Sequence, residues 1–286
     1  MSASSSPITH LSRETIVAYG YVLYEIADSV ATIWHNRPEQ RNAENSQLLD
    51  ELNDAVVRAG ADPQVRAVVF EGKGGHFSAG HDLKEVRSSG RTSPRRSGGS
   101  TSPARTWTTA STYSISRSRP SPWVDGVCVA GGFMVANVCD MIGAADTAFF
   151  ADPVLHTMGV SAVEVLVHPW VLGHCKAREF LFTGDRLSAA DALASGMVHR
   201  VVSVDQLDEA VATLANRVAL APPFATKVLK RSLTAPSSRY RAFTLLSTRT
   251  STGTSSPTST MRPVARRPTA DSPSPFSATQ AATSVR

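Results

Sequence analysis

The sequence predicts an α/β protein whose second half turns mostly helical. Three observations carry that expectation. Short β-rich runs alternate with segments of helical period, Gly and Pro punctuate the boundaries, and two glycine-bearing stretches sit about 50 residues apart. Those stretches are Phe77-Ser-Ala-Gly-His-Asp-Leu-Lys-Glu85 and Gly126-Val-Cys-Val-Ala-Gly-Gly-Phe133.

Residues 1–15 read as a polar tail, 16–199 as the core and 200–233 as a helical region. In the core, Tyr19 to Ile26, Ala31 to His35 and Val65 to Glu71 are β-rich runs. One helix lies between the second and third. Asn45 or Ser46 can cap it, Leu48, Leu49, Leu52, Val56 and Ala59 recur at helical spacing, and Gly60 ends it. From Val124 the pattern resumes with a run at Val127 to Val129 and a helix starting after Gly132. Met141 to Ala144 and Ala148 to Phe150 are further β-rich runs. Helical segments follow at 174–182, 188–195, 205–219 and 223–233, broken by Gly184, Gly196 and the Pro222, Pro223 pair.

Two segments, 86–123 and 234–286, break this order, being loaded with Ser, Thr, Pro, Arg and Gly. They read as disordered low-complexity inserts or as out-of-frame translation of GC-rich coding DNA, in which Lys and acidic residues vanish together. They also hold 14 of the arginines and one acid, Asp271. Removing these from the totals of 29 basic and 24 acidic residues leaves 15 against 23, so the body is acidic although the whole chain is at +5. Stacking aromatics are not regularly interleaved with the arginines and the core is net acidic, which argues against a nucleic-acid partner. Cys128, Cys139 and Cys175 show no CxxC spacing, so neither a disulfide framework nor a metal site is expected. The polar N-terminus and the lack of 18 consecutive apolar residues favour a soluble, cytoplasmic protein with no membrane partner.

Each glycine stretch places backbone N–H groups at a strand end or helix start, where glycine lets a ligand come close. Two such groups aimed at one carbonyl oxygen form an oxyanion hole, worth roughly 3 to 4 kcal/mol per donor. These stretches, with Asn36-Arg-Pro-Glu39, Asn42-Ala43, Cys139-Asp140, Phe150-Ala-Asp-Pro153, Phe182-Thr-Gly184, Leu187-Ser-Ala-Ala190 and Gly196-Met-Val198, resemble the crotonase superfamily, the enoyl-CoA hydratase/isomerase family. The likeness runs over roughly residues 18–233 apart from 86–123.

The resemblance implies a crotonase-like ββα spiral core followed by a helical C-terminal region, acting on an acyl-CoA thioester. It implies an enoyl-CoA hydratase of fatty acid metabolism, with isomerisation as the alternative reaction and a damaged or non-catalytic acyl-CoA binder as another. Coenzyme A would enter as part of the substrate with no separate cofactor, and the assembly would be a homotrimer or a dimer of trimers. The oxyanion donors would be the N–H groups of His81 and Gly131, with only the backbone of His81 implied because relatives vary in that side chain. Ala43, Ala79 and Gly80 would border the adenine and pantetheine, Arg41 and Lys84 would face the phosphates, and Gly132 would follow the second donor.

One departure governs the reaction. The two glutamates that position water in well-known hydratases align with Met134 and Val154, and neither can move a proton. Asp152 is a candidate replacement because, in an extended segment, it shares the direction of Val154. Glu164 is a second, and His156 and His168 are further candidates, though both read first as hydrogen-bonded structural histidines.

Overall fold

The computed structural model describes residues 14–88, 120–158 and 167–233. Strand β1 (Glu14–Ala18), β2 (Val22–Ala27) and β3 (Val30–His35) form an antiparallel meander. Asp28 and Ser29, at φ 49 and 65, make the two-residue turn between β2 and β3, a conformation that matches the twist of the flanking strands. The sheet then turns parallel. β3 pairs with β4 (Ala67–Gly72), β4 with β5 (Pro120–Val124), β5 with β7 (Gly143–Ala145) and β7 with β10 (Arg200–Val202). A smaller sheet holds β8 (Phe149–Ala151) between a parallel β6 (Val127–Val129) and an antiparallel β9 (Leu187–Ser188).

The main sheet separates two cores, which is why β4 is buried through Ala67, Val68, Val69 and Phe70 rather than alternating. On one side Val68 and Phe70 meet helix α1 (Ser46–Ala61), whose Leu48, Leu52, Ala55, Val56 and Ala59 face inward. Asn45 caps that helix, its Oδ1 accepting from the Leu48 N–H at 2.9 Å. Ala67 and Val69 meet the other core, built on Leu207, Val211, Ala215 and Ala219.

The other helices are α2 (Leu83–Ser88), α3 (Gly131–Asn137), α4 (Val154–Met158), α5 (His168–Leu172), α6 (His174–Thr183), α7 (Ala189–Ala194), α8 (Leu207–Ala219) and α9 (Pro223–Leu233). Lys230 on α9 donates to Asp140 at 2.7 Å, tying the last described helix to the segment after α3. Leu220, Phe224, Leu229 and Leu233, at or near α9, are all more than half exposed.

Several boundaries differ from those expected, among them Gly60, which lies inside α1 rather than ending it. β1 starts inside the supposed polar tail, and β10 lies in the region read as wholly helical. More consequentially, α2 runs to Ser88 and Pro120-Ser-Pro-Trp-Val124 is a fully buried central strand, so both ends of 86–123 belong to the fold. Proline reads as a strand breaker because it cannot donate to the ladder, yet here Pro120 and Pro122 sit in register with Val68 and Phe70 of β4. Residues 1–13, 89–119 and 234–286 lie outside the described residues. Among the described residues, no helix is long and apolar enough to cross a membrane.

Candidate functional site

The first glycine stretch lies alongside β6. Phe77 N–H donates to Asp125 O at 3.0 Å, Ser78 N–H to Val127 O at 2.9 Å, and Val129 N–H returns to Ser78 O at 3.0 Å. Two segments 50 residues apart in sequence are thereby held side by side in parallel at Ser78 and Cys128, and the turns that follow them, 79–81 and 130–131, meet.

How tightly they meet is measured by what glycine excludes. A Cβ at Gly80, which sits at φ +80, would lie 2.7 Å from Val129 O, 3.1 Å from Ala130 Cβ and 3.2 Å from Gly131 N. Ala130 holds φ 48 and ψ −109, a backbone conformation that costs a non-glycine residue roughly 1 to 3 kcal/mol and concentrates at functional sites. Its N–H is anchored on Ala151 O at 2.9 Å, and its carbonyl accepts from Met134 N–H as α3 begins. Gly131 opens α3 and has no helical carbonyl four residues back to take its N–H.

The direction of His81 follows from a second bridge. Glu44 N–H donates to Gly80 O at 2.8 Å and Asp82 N–H donates to Glu44 O at 2.9 Å, so residues 80 and 82 take the bonds from that side. In such a parallel pair the intervening residue turns its own N–H and C=O the other way, here away from residue 44.

The loop that carries Arg41 and Ala43 is drawn to the same place. Ala79 N–H donates to Arg41 O at 3.0 Å, which sets 41–44 beside 79–82. Buried Arg37 clamps this loop: it donates to Ala43 O at 2.5 Å, to Asp82 Oδ2 at 3.1 Å and to Gln40, and it stacks over Tyr21 at 4.7 Å. Asp82 Oδ1 also accepts from Lys84 N–H at 3.0 Å, so its carboxylate shapes the start of α2. Arg41 and Lys84 are both exposed along this strip.

Of the sequence candidates for proton transfer, Met134 is buried in the main core and Val154 is also buried, at the start of α4. Asp152 is brought close in backbone, one residue after Ala151, but the extended geometry that would align it with Val154 does not exist. β8 ends at Ala151 and helix begins at Val154, so the period of two is lost at Pro153. The Asp152 carboxylate is buried against His168, Oδ2 to Nε2 3.1 Å, and that imidazole stacks on Phe133 with centroids 4.8 Å apart. His156 is exposed and its Nε2 lies 2.8 Å from Phe182 O. Glu164 lies outside the described residues.

The sequence reading missed Glu44. Its carboxylate is fully buried, accepts from Ser78 Oγ at 2.9 Å and lies 3.7 Å from His81 Nδ1, while Ser78 Oγ accepts from Gly80 N–H at 3.1 Å. Its only sequence signal is an acid next to Ala43 and just before the helix cap Asn45. Burial, with Glu44 next in effect, pushes the Cys128 thiol well above its usual range, so it stays neutral. His35 is missed too. Its Nδ1 lies 2.9 Å from Phe77 O, and burial lowers its pKa to about 4, so it is neutral and donates to the strand end that leads into the site. Among the described residues, no group of three or more His, Cys, Asp or Glu could hold a metal ion.

A family model described as enoyl-CoA hydratase/isomerase matches residues 25–255. A protein of Mycobacterium leprae named probable enoyl-CoA hydratase echA8 is 31% identical over 228 residues, covering 78% of this chain and 82% of its own. A protein of an Arthrobacter species named 4-chlorobenzoyl coenzyme A dehalogenase-2 is 32% identical over 217 residues, 74% of this chain and 77% of that one. Among solved structures, a probable enoyl-CoA hydratase from Mycobacterium smegmatis is 37% identical, with a TM-score of 0.71 over 80% of this chain and 92% of that one.

Proposed function

Since the chain belongs to the enoyl-CoA hydratase/isomerase family, we propose that it is an enoyl-CoA hydratase-type enzyme acting on an acyl-CoA thioester, with the His81 and Gly131 N–H groups holding the thioester oxygen. The observation that carries this reading is the junction of the two glycine stretches, packed so closely that a Cβ at residue 80 would lie 2.7 Å from Val129 O and 3.2 Å from Gly131 N. As carbon 3 of a 2-enoyl thioester is attacked, charge moves to the carbonyl oxygen and an enolate forms. Fixed N–H groups meet that charge without reorganising, which lowers the barrier by more than it stabilises the neutral thioester. Coenzyme A comes and goes with the acyl group, its adenine and pantetheine bordered by Ala43, Ala79 and Gly80, its phosphates near Arg41 and Lys84, and Gly132 seating α3 against Ser78.

The test is incubation with crotonyl-CoA, following loss of the conjugated thioester absorbance. A 3-enoyl-CoA converted while crotonyl-CoA stays intact would replace hydration by isomerisation, the reading that apolar Met134 and Val154 favour because a double-bond shift needs only one proton carrier. Asp152→Asn and Glu164→Gln, made separately, ask whether either carboxylate moves a proton; unchanged turnover in both places that work elsewhere. The exposed Leu220, Phe224, Leu229 and Leu233 support self-association, and we read the assembly as a homotrimer or a dimer of trimers. Size-exclusion chromatography with light scattering giving a monomer would reject it.

A further inference from the structure

The Gly80 C=O and the His81 N–H belong to one planar trans peptide and point in opposite directions. The bond from Glu44 N–H to Gly80 O, at 2.8 Å, therefore aims the His81 N–H away from residue 44. A glycine at φ +80 turns freely, so one bond does not fix that plane. A second hold lies on the other side of Gly80 and runs through side chains. A serine hydroxyl has one proton, and Ser78 gives it to Glu44 Oε1 at 2.9 Å. The lone pairs of Ser78 Oγ are thereby left to the Gly80 N–H, which donates to them at 3.1 Å. Glu44 and Ser78 are both buried, and Ser78 is itself fixed beside β6 by its backbone bonds to Val127 and Val129. The same two side chains bear on the second turn. The other Glu44 oxygen fills the space that a side chain at residue 131 would need, and Ser78 Oγ would lie 2.9 Å from a Cβ at residue 132.

We propose that Glu44 and Ser78 are positioning residues for the oxyanion hole, a buried relay in which the carboxylate orients the hydroxyl and the hydroxyl holds the Gly80 peptide so that the His81 N–H faces the thioester oxygen. This rests on the hydratase-type reading above and concerns how its donors are aimed; no bond forms or breaks at either side chain. Without an acceptor at residue 44 the Ser78 hydroxyl is free to rotate, and it no longer keeps a lone pair on the Gly80 N–H. The His81 N–H is then held from one side alone. A donor displaced by about 1 Å from a developing charge forfeits up to ~100-fold in rate, so the relay acts on kcat through geometry.

The experiment uses the full chain with crotonyl-CoA, at a temperature where each variant is folded by circular dichroism. Ser78→Ala removes the bridge with little change in volume, so kcat falls ~10- to 100-fold while KM stays within about threefold. Bound 2,4-hexadienoyl-CoA reads the donors directly, because N–H groups aimed at its carbonyl draw electrons along the conjugated chain and move its absorbance to longer wavelength. That shift shrinks by about half or more in Ser78→Ala, which a loss of stability alone would not produce. Glu44→Gln keeps an oxygen for the Ser78 hydroxyl and regains most of the turnover that Glu44→Leu loses; if Glu44→Leu does not fold, Ser78→Ala decides alone. Ser78→Ala with the parent's kcat and an undiminished absorbance shift overturns the relay while leaving the hydratase-type reading intact. Glu44→Gln no faster than a folded Glu44→Leu overturns it as well, since the acceptor would then be beside the point. A parent chain that neither binds an acyl-CoA by calorimetry nor turns over crotonyl-CoA sinks both.

Discussion

Replacing Gly80 by alanine probes the junction on which the site depends. The methyl group would meet backbone on two sides, Val129 O at 2.7 Å and Gly131 N at 3.2 Å, and the Ala130 methyl at 3.1 Å, none of which can swing aside. Relieving the shortest contact separates the 79–81 turn from the 130–131 turn by several tenths of an ångström, and overpacking of this kind costs ~1 to 3 kcal/mol. The left-handed φ of +80 adds ~1 kcal/mol for any side chain. Gly196→Ala isolates that second contribution, because Gly196 has φ +79 and nothing within 4 Å of a built Cβ. The expected loss for Gly80→Ala is about 3 kcal/mol, or roughly 6 to 12 °C in Tm, against about a third of that for Gly196→Ala. Since both proposed oxyanion donors sit at the displaced junction, kcat on crotonyl-CoA should fall ~100-fold in Gly80→Ala and stay at the parent value in Gly196→Ala. Thermal unfolding and initial rates, measured side by side, check both. Equal Tm losses in the two variants with kcat intact would refute the idea that the turns are in contact and catalytic.

Other perturbations read other parts of the site. His35 has a folded pKa of about 4 against 6.5 for the free side chain, so the unfolded chain binds its proton first as pH falls. Its neutral form therefore contributes fully above pH 6.5, and about 3 kcal/mol is lost between there and pH 4. Urea unfolding of His35→Gln should show a pH curve flatter by that amount, and identical curves would contradict it. Arg37→Ala leaves Ala43 O and the Asp82 carboxylate without their cation, so it should cost about 3 kcal/mol and raise KM for acyl-CoA more than it lowers kcat. Unchanged KM and Tm would mean that the loop holds without the clamp. Asp152→Asn weakens the buried contact with His168 and should lower stability by ~1 to 3 kcal/mol; denaturant midpoints equal to the parent's would show that the contact does nothing for the fold.

The elements that sequence made legible are those whose signal is local. The helix over Ser46–Ala61 follows from its cap and its apolar period, β6 from a three-residue run, and the two close turns at 79–81 and 130–131 from glycines whose backbone must come close to something. The likeness of ordered motifs extended this to the fold and to the acyl-CoA thioester. What sequence misread depends on neighbours far along the chain. Pro120 to Val124 looks like broken low-complexity chain, and becomes a central strand because β4 and β7 pair with its two edges while the cores on the two faces of the sheet cover its side chains. The Asp152 direction failed for the opposite reason, a local period interrupted at Pro153 by a helix start.

Glu44 marks the same limit at the site. Beside Ala43 it is one more acidic residue ahead of a helix, in a body where acids outnumber bases. Its meaning comes from Ser78, His81 and Gly131, which are 34, 37 and 87 residues away and reach it only because two parallel bridges bring the loops together. Sequence by itself pointed to the backbone groups proposed to receive a thioester oxygen, since glycine and a helix start are local facts. The tertiary structure alone decided which carboxylate lies behind them, because burial and hydrogen bonding of a side chain are set by whatever the fold packs against it.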